Sequence, residues 1–201
     1  MTKAWRLAWL PLLLVAGPAC AHAPVPGIEG FYIGLMHPFS TPPQALLMIG
    51  LGLLVGGYAI EKGRCYFVAF PLAIVLGLIV GSIAADLDTA MFAVAFLACV
   101  MAALAPGRLH PLAIAVIAVG GFLIGVASLP DDGPVRDRLF TMVGSILGAS
   151  IGLLYLLGIS VLVRERFYRA WVGVAFRVLA AWLGAISLLM LALGLANSVP
   201  T

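Results

Sequence analysis

The groups in this chain that could do chemistry are few enough to name one by one. Its 201 residues hold three histidines, His22, His37 and His110, in a composition 64% hydrophobic and 9% charged. His37 stands in the stretch "GLMHPFSTPPQALLMIGLG", residues 34–52, directly before Pro38 and ahead of Pro42 and Pro43. An imidazole is a good ligand for a late transition metal. The same stretch is also a backbone break, because proline removes a donor and clashes with the preceding turn. Both readings of His37 stand at this point. His22 follows Ala19-Cys20-Ala21, a small-residue pattern suited to cleavage. Cleavage after Ala21 would put a free amine beside the His22 imidazole, a chelating pair for a metal; otherwise His22 merely flanks the cleavage site.

The carboxylates form a second group. Glu29, Asp86, Asp88, Asp131, Asp132 and Asp137 all fall at ends of apolar runs expected to share one face of the membrane. Such a cluster would draw cations by its local field, or would simply reflect the acid content of external loops. No G-x-S-x-G, H-E-x-x-H or Walker loop is present, nor a His/Glu pair at helical spacing. Without polar groups converging inside an apolar segment, the chain is read as a non-enzyme with no tightly bound cofactor. No cysteine pair among Cys20, Cys65 and Cys99 has metal or redox spacing. Haem clamping is unexpected too, since His110 belongs to the opposite face from His22 and His37.

The elements that must position these groups are membrane helices. Soluble domains carry about 25% charged residues, far above this chain, whose mean hydropathy is +1.18. That much apolar surface cannot be hidden inside a water-soluble globule of this size, so the lipid bilayer is the first partner. The formal charge of +3 is not an argument for nucleic acid; its distribution among loops is what matters. Residues 1–21 read as a cleavable signal peptide, with Lys3 and Arg6 before a short apolar core. Residues 22–201 read as one domain of six transmembrane helices, with spans near 30–60, 65–85, 89–105, 111–129, 139–163 and 170–196. The fold expected is an all-α polytopic bundle.

Loop charges orient it. Lys62, Arg64, Arg108, Arg164, Arg166 and Arg169 occupy alternate loops, and the intervening loops hold the aspartates with Arg136 and Arg138. The positive-inside rule puts the first set in the cytoplasm and both mature termini outside, in a bacterial inner membrane. Gly30/Gly34, Gly52/Gly56, Gly77/Gly81, Gly121/Gly125 and Gly144/Gly148/Gly152 follow small-xxx-small spacing, which lets helices approach closely in lipid. Arg177, inside the last span, is expected to snorkel to the surface. Thr141, Ser145, Ser150 and Ser187 are expected to bond back to their own helices, and the methionines to fill the core.

The layout resembles the HupE/UreJ family of hydrogenase- and urease-associated membrane proteins, regarded as nickel or cobalt permeases. Gly30, Phe31, Gly34, His37, Pro38 and Met48 keep the register of its first span, G-F-x-x-G-x-x-H-P-x-x-G-x-D-H-L-x-x-M. Pro71, Gly77 and Gly81 match its second. The resemblance is specific over residues 28–84 and covers the rest in architecture. It implies a permease for Ni2+ or Co2+ as transported substrate, with His37, Gln44, Asp131 and His22 as metal contacts and Asp86 and Asp88 as external attractors. The family's Asp-His after the first histidine is Pro43-Gln44 here. Its F-H-G-x-A-H-G-x-E motif aligns with "LIGVASLPD", leaving Ile124 and Ser128 at the histidine positions and Asp131 at the glutamate. These replacements motivate a second reading, an accessory or assembly subunit that keeps the fold without transporting. A homo-oligomer or metalloenzyme-maturation partners would fit either reading.

Overall fold

Apolar runs of this length have one way to satisfy their backbone in a lipid core, which is to close their hydrogen bonds within each segment as helices. The computed structural model describes residues 29–58, 60–81, 86–130, 133–167 and 169–197. Among them are α1 (Glu29–Met36), a 3₁₀ turn (His37–Phe39), α2 (Pro42–Gly56), α3 (Ile60–Val80), α4 (Leu87–Leu104), α5 (His110–Ala127), α6 (Val135–Arg166) and α7 (Ala170–Asn197). No strand occurs among the described residues. The leader expected over 1–21 lies outside them, as do His22 and Asp131.

Five helices are long and apolar enough to cross a membrane by themselves, and α1 with α2 makes a sixth span if the pair is counted as one. That first span departs from the sequence expectation of a single interrupted run over 30–60. Its two halves meet at 69°. α1 has only 8 residues, about 12 Å at 1.5 Å per residue, too short to cross a ~30 Å core. The prolines cause the bend. Thr41 is extended at φ −116°, ψ 147°, the conformation forced on a residue before proline, and Pro42 opens α2 where a helix tolerates it. The carbonyl of His37, freed by the break, accepts from Ser40 N at 3.0 Å and Ser40 Oγ at 2.8 Å. The fifth span is longer than expected: α6 runs 32 residues against the predicted 139–163.

α2 is the hub. Leu47, Met48, Leu51, Leu54 and Val55 are buried in the middle of the bundle, and α2 touches α4, α5, α6 and α7. α1 lies apart from that hub, against α6. Exposed leucines, isoleucines and aromatics such as Leu72, Ile79, Tyr155 and Trp182 cover the outside, as expected where lipid is the solvent.

Glycine permits the two tightest crossings. A Cβ at Gly34 would run into the Thr141 carbonyl, and at Gly144 and Gly148 into those of Phe31 and Leu35, all between α1 and α6. Gly77, Gly121 and Gly125 do the same between α3 and α5, against the carbonyls of Phe122, Phe70 and Ile74. Gly81 is a correction to the expected pair with Gly77. It lies just past the end of α3 at φ +79° with nothing within 4 Å of a built Cβ, so it stops the helix rather than packing it.

Successive spans along the chain run in opposite directions, which sorts the loop charges. Gly57 meets Gly107, Gly30 meets the Asp137 carbonyl, and Gly194 meets Thr89. One end therefore carries Arg64, Arg108, Arg164, Arg166 and Arg169; the other carries Asp86, Asp88 and Asp137 together with Arg136 and Arg138. They are called the basic and acidic ends below. Thr141, Ser145 and Ser187 bond back to Asp137, Thr141 and Leu183 of their own helices as expected. Ser150 does not, and its buried Oγ has no partner.

Candidate functional site

His37 heads the 3₁₀ turn at the elbow of the broken span, partly buried, with Nδ1 3.4 Å from Ser40 Oγ. Pro38 beside it is buried and fixes the turn. Seven residues on, Gln44 sits in the first turn of α2 and is only 2% exposed. Its Oε1 is buried with no hydrogen-bond partner. A buried polar group without a partner costs about 1–3 kcal/mol, so this amide is either a cost to stability or a group held ready for something else.

A second such oxygen lies at the same end. Ser128 closes α5, fully buried, its backbone N–H bonded to Ile124 O at 2.9 Å and Gly125 O at 3.2 Å. Its Oγ has no partner. α5 runs beside α2, with Gly120 against Leu47 and Leu51, so the antiparallel pair carries Gln44 and Ser128 to the acidic end together. Both positions are ones where the sequence resemblance implied metal ligands. The other two, Pro43 and Ile124, are buried as well.

The arrangement holds an imidazole, an amide oxygen and a hydroxyl near the acidic end. Of the residues expected to bind metal, His37 and Gln44 are described, and His22 and Asp131 are not. Among the described residues no three His, Cys, Asp or Glu side chains could hold one ion. Asp86 and Asp88 are exposed at the start of α4. Asp86 caps that helix, accepting from Thr89 N at 3.2 Å and from the Thr89 hydroxyl. Those hydrogen bonds hold its carboxyl below the usual aspartate range, so it stays charged in any neutral solution.

Sequence reasoning missed a polar cluster at the basic end. The rings of Tyr58, Tyr66 and His110 meet edge to face or tilted, with centroids 5.3–5.8 Å apart. The Tyr58 hydroxyl donates to the Arg108 carbonyl. Tyr66 is fully buried against Tyr58, and the His110 Nε2 has no partner. A tyrosine one residue into an apolar run was the available signal, since polar groups inside a span are costly. Arg177 is exposed at the basic end, as snorkelling implies, and its Nε also donates to Ala103 O at 2.6 Å.

No curated protein and no solved structure matches the chain. A family model does: the one described as HupE / UreJ protein matches residues 10–190. With that match spanning most of its length, the chain belongs to the HupE/UreJ family of membrane proteins.

Proposed function

We propose that this chain is a permease for a divalent first-row metal ion, nickel or cobalt, entering at the acidic end. The observation that carries the reading is the pair of buried, unpartnered oxygens, Gln44 Oε1 and Ser128 Oγ, at the ends of adjacent helices, with the broken turn of His37 just ahead of Gln44 in the chain. Non-helical backbone at membrane depth is tolerated where it is buried in protein or lines a cavity, and the 69° break of the first span supplies non-helical backbone beside His37. Imidazole suits nickel and cobalt, and oxygen ligands hold them less tightly. A weak set is what passage requires, because an ion must leave as readily as it enters. The exposed aspartates Asp86 and Asp88 would raise the local cation concentration. Membrane potential would drive entry, at about 2.3 kcal/mol per charge per 100 mV.

The second reading, a non-transporting accessory subunit, is favoured by one observation: among the described residues no cluster of three metal-binding side chains exists. The two are separated by uptake of radioactive nickel and cobalt into cells lacking their own importers. The native chain should exceed an empty vector, and His37→Ala should return to the vector level with the protein still in the membrane. Uptake equal to vector for the native chain would leave the accessory reading, which co-purification of a partner without added metal would then support.

A further inference from the structure

At the basic end a cavity of about 270 Å³ opens between α2, α4, α6 and α7, walled by Leu53, Ala102, Pro106, Arg164, Phe176 and Arg177. It is slightly smaller than the ~300 Å³ at which pockets for whole small molecules begin, so it suits a compact group. Two guanidinium groups from different helices face it, and among the described residues no carboxylate lines it. Arg164 stacks over the Phe176 ring at 5.0 Å, which fixes its plane, and its Nε is buried without a partner. Arg177 uses its Nε on the Ala103 carbonyl and keeps its terminal N–H groups. A guanidinium has five donors in a rigid fork, shaped for the oxygens of a phosphate or carboxylate.

We propose that this cavity binds a phosphate-bearing anion, and that the headgroup of an anionic phospholipid is its source. Buried donors without acceptors are costly, and a phosphate supplies several acceptors to two arginines at once. The first turn of α7, from Ala170 to Gly173, also borders the cavity, adding backbone N–H groups that favour negative charge. The walls opposite, Leu53 and Ala102, are apolar and suit the glycerol and upper acyl region of a lipid. The cavity lies at the basic end, the end that the positive-inside rule gives to the cytoplasmic leaflet, where anionic lipids concentrate. A shallower hollow beside it shares Arg164 but includes Glu165 and Arg169, and its carboxylate makes it the poorer anion site. The proposal is independent of whether any metal is transported.

The test uses the full chain, delipidated in neutral detergent, with thermal unfolding measured against added phosphatidylglycerol, phosphatidylcholine or inorganic phosphate. Phosphatidylglycerol should raise the unfolding midpoint and phosphatidylcholine should not. Arg164→Gln should bind it about tenfold more weakly, the loss expected for one charge-assisted contact. Arg166→Gln removes the same charge from an exposed neighbour outside the cavity and should bind as the native chain does. Stabilisation by inorganic phosphate alone, lost in Arg164→Gln, would keep the phosphate chemistry and assign the site to a soluble anion. Equal effects of both lipids, equal losses in the two variants, or no effect of either lipid or phosphate would overturn the proposal.

Discussion

The Nε of Arg177 on α7 donates to the carbonyl oxygen of Ala103, in the last turn of α4, across 2.6 Å. The last four carbonyls of a helix have no partner of their own, and in a membrane no water is at hand inside the boundary to supply one. The guanidinium thus closes α4 and ties the peripheral α7 to the bundle. Hydrogen bonds to charged groups contribute about 1.5–3 kcal/mol, against a charge penalty that falls towards ~0–1 kcal/mol near the interface. Arg177→Met is therefore expected to lose about 1–2 kcal/mol of stability. Thermal unfolding in detergent reads this directly, and an unchanged midpoint would mean that the bond contributes nothing.

Glycine positions divide into those that pack and those that do not. Gly34→Ala would drive a Cβ into the Thr141 carbonyl of α6. Backbone cannot yield as a side-chain tip can, so a loss of about 1–3 kcal/mol is expected. Gly158 lies on the same helix as Thr141 with nothing within 4 Å of a built Cβ. There alanine should be neutral or stabilise by up to about 1 kcal/mol. The paired comparison of unfolding midpoints tests the crossing itself, and equal effects at the two glycines would contradict it.

The cap of α4 carries a pH signature. Hydrogen bonds from Thr89 lower the Asp86 carboxyl relative to its ordinary value of 3.8. A group whose native value is depressed adds stability that is fully present above its unfolded value and is lost as pH falls through the lowered native one. Asp86→Ala should therefore lower the unfolding midpoint at neutral pH, and the difference from the native chain should shrink below about pH 4. A difference that persists undiminished in acid would show that the charge has no part in the cap.

How much of this was legible beforehand depends on the kind of signal. Long apolar runs announce helices, and regular glycine spacing announces crossings, because both are local patterns. Gly144/Gly148 and Gly121/Gly125 pack as that spacing required. Gly77/Gly81 has the same spacing, yet Gly81 falls one residue past the helix, a boundary no spacing rule fixes. The prolines near His37 promised a break, but its angle of 69° depends on where α6 holds α1 and where the core holds α2. The resemblance singled out Gln44 and Ser128 as replaced ligands. Only the fold shows that their oxygens are both buried without partners. The grouping of Tyr58, Tyr66 and His110 joins three separate elements, and nothing within any one of them foretells it.

The last prediction sets stability against transport at Gln44. A side chain 2% exposed, with an oxygen that no group among the described residues satisfies, is a standing cost to the fold. Replacing it by an apolar residue of similar volume removes that cost, so Gln44→Leu should unfold at a higher temperature, with a gain of about 1 kcal/mol. If the amide is there to touch a passing ion, the same variant should lose metal uptake, the exchange expected where function keeps a site below its most stable form. Ser128→Ala should move in the same direction, by less, because a hydroxyl is smaller than an amide. Measuring unfolding and uptake on one preparation decides between roles. Higher stability with uptake lost assigns Gln44 to the ion's path. Lower stability with uptake intact would make it a structural residue, and the permease reading would then rest on His37 alone.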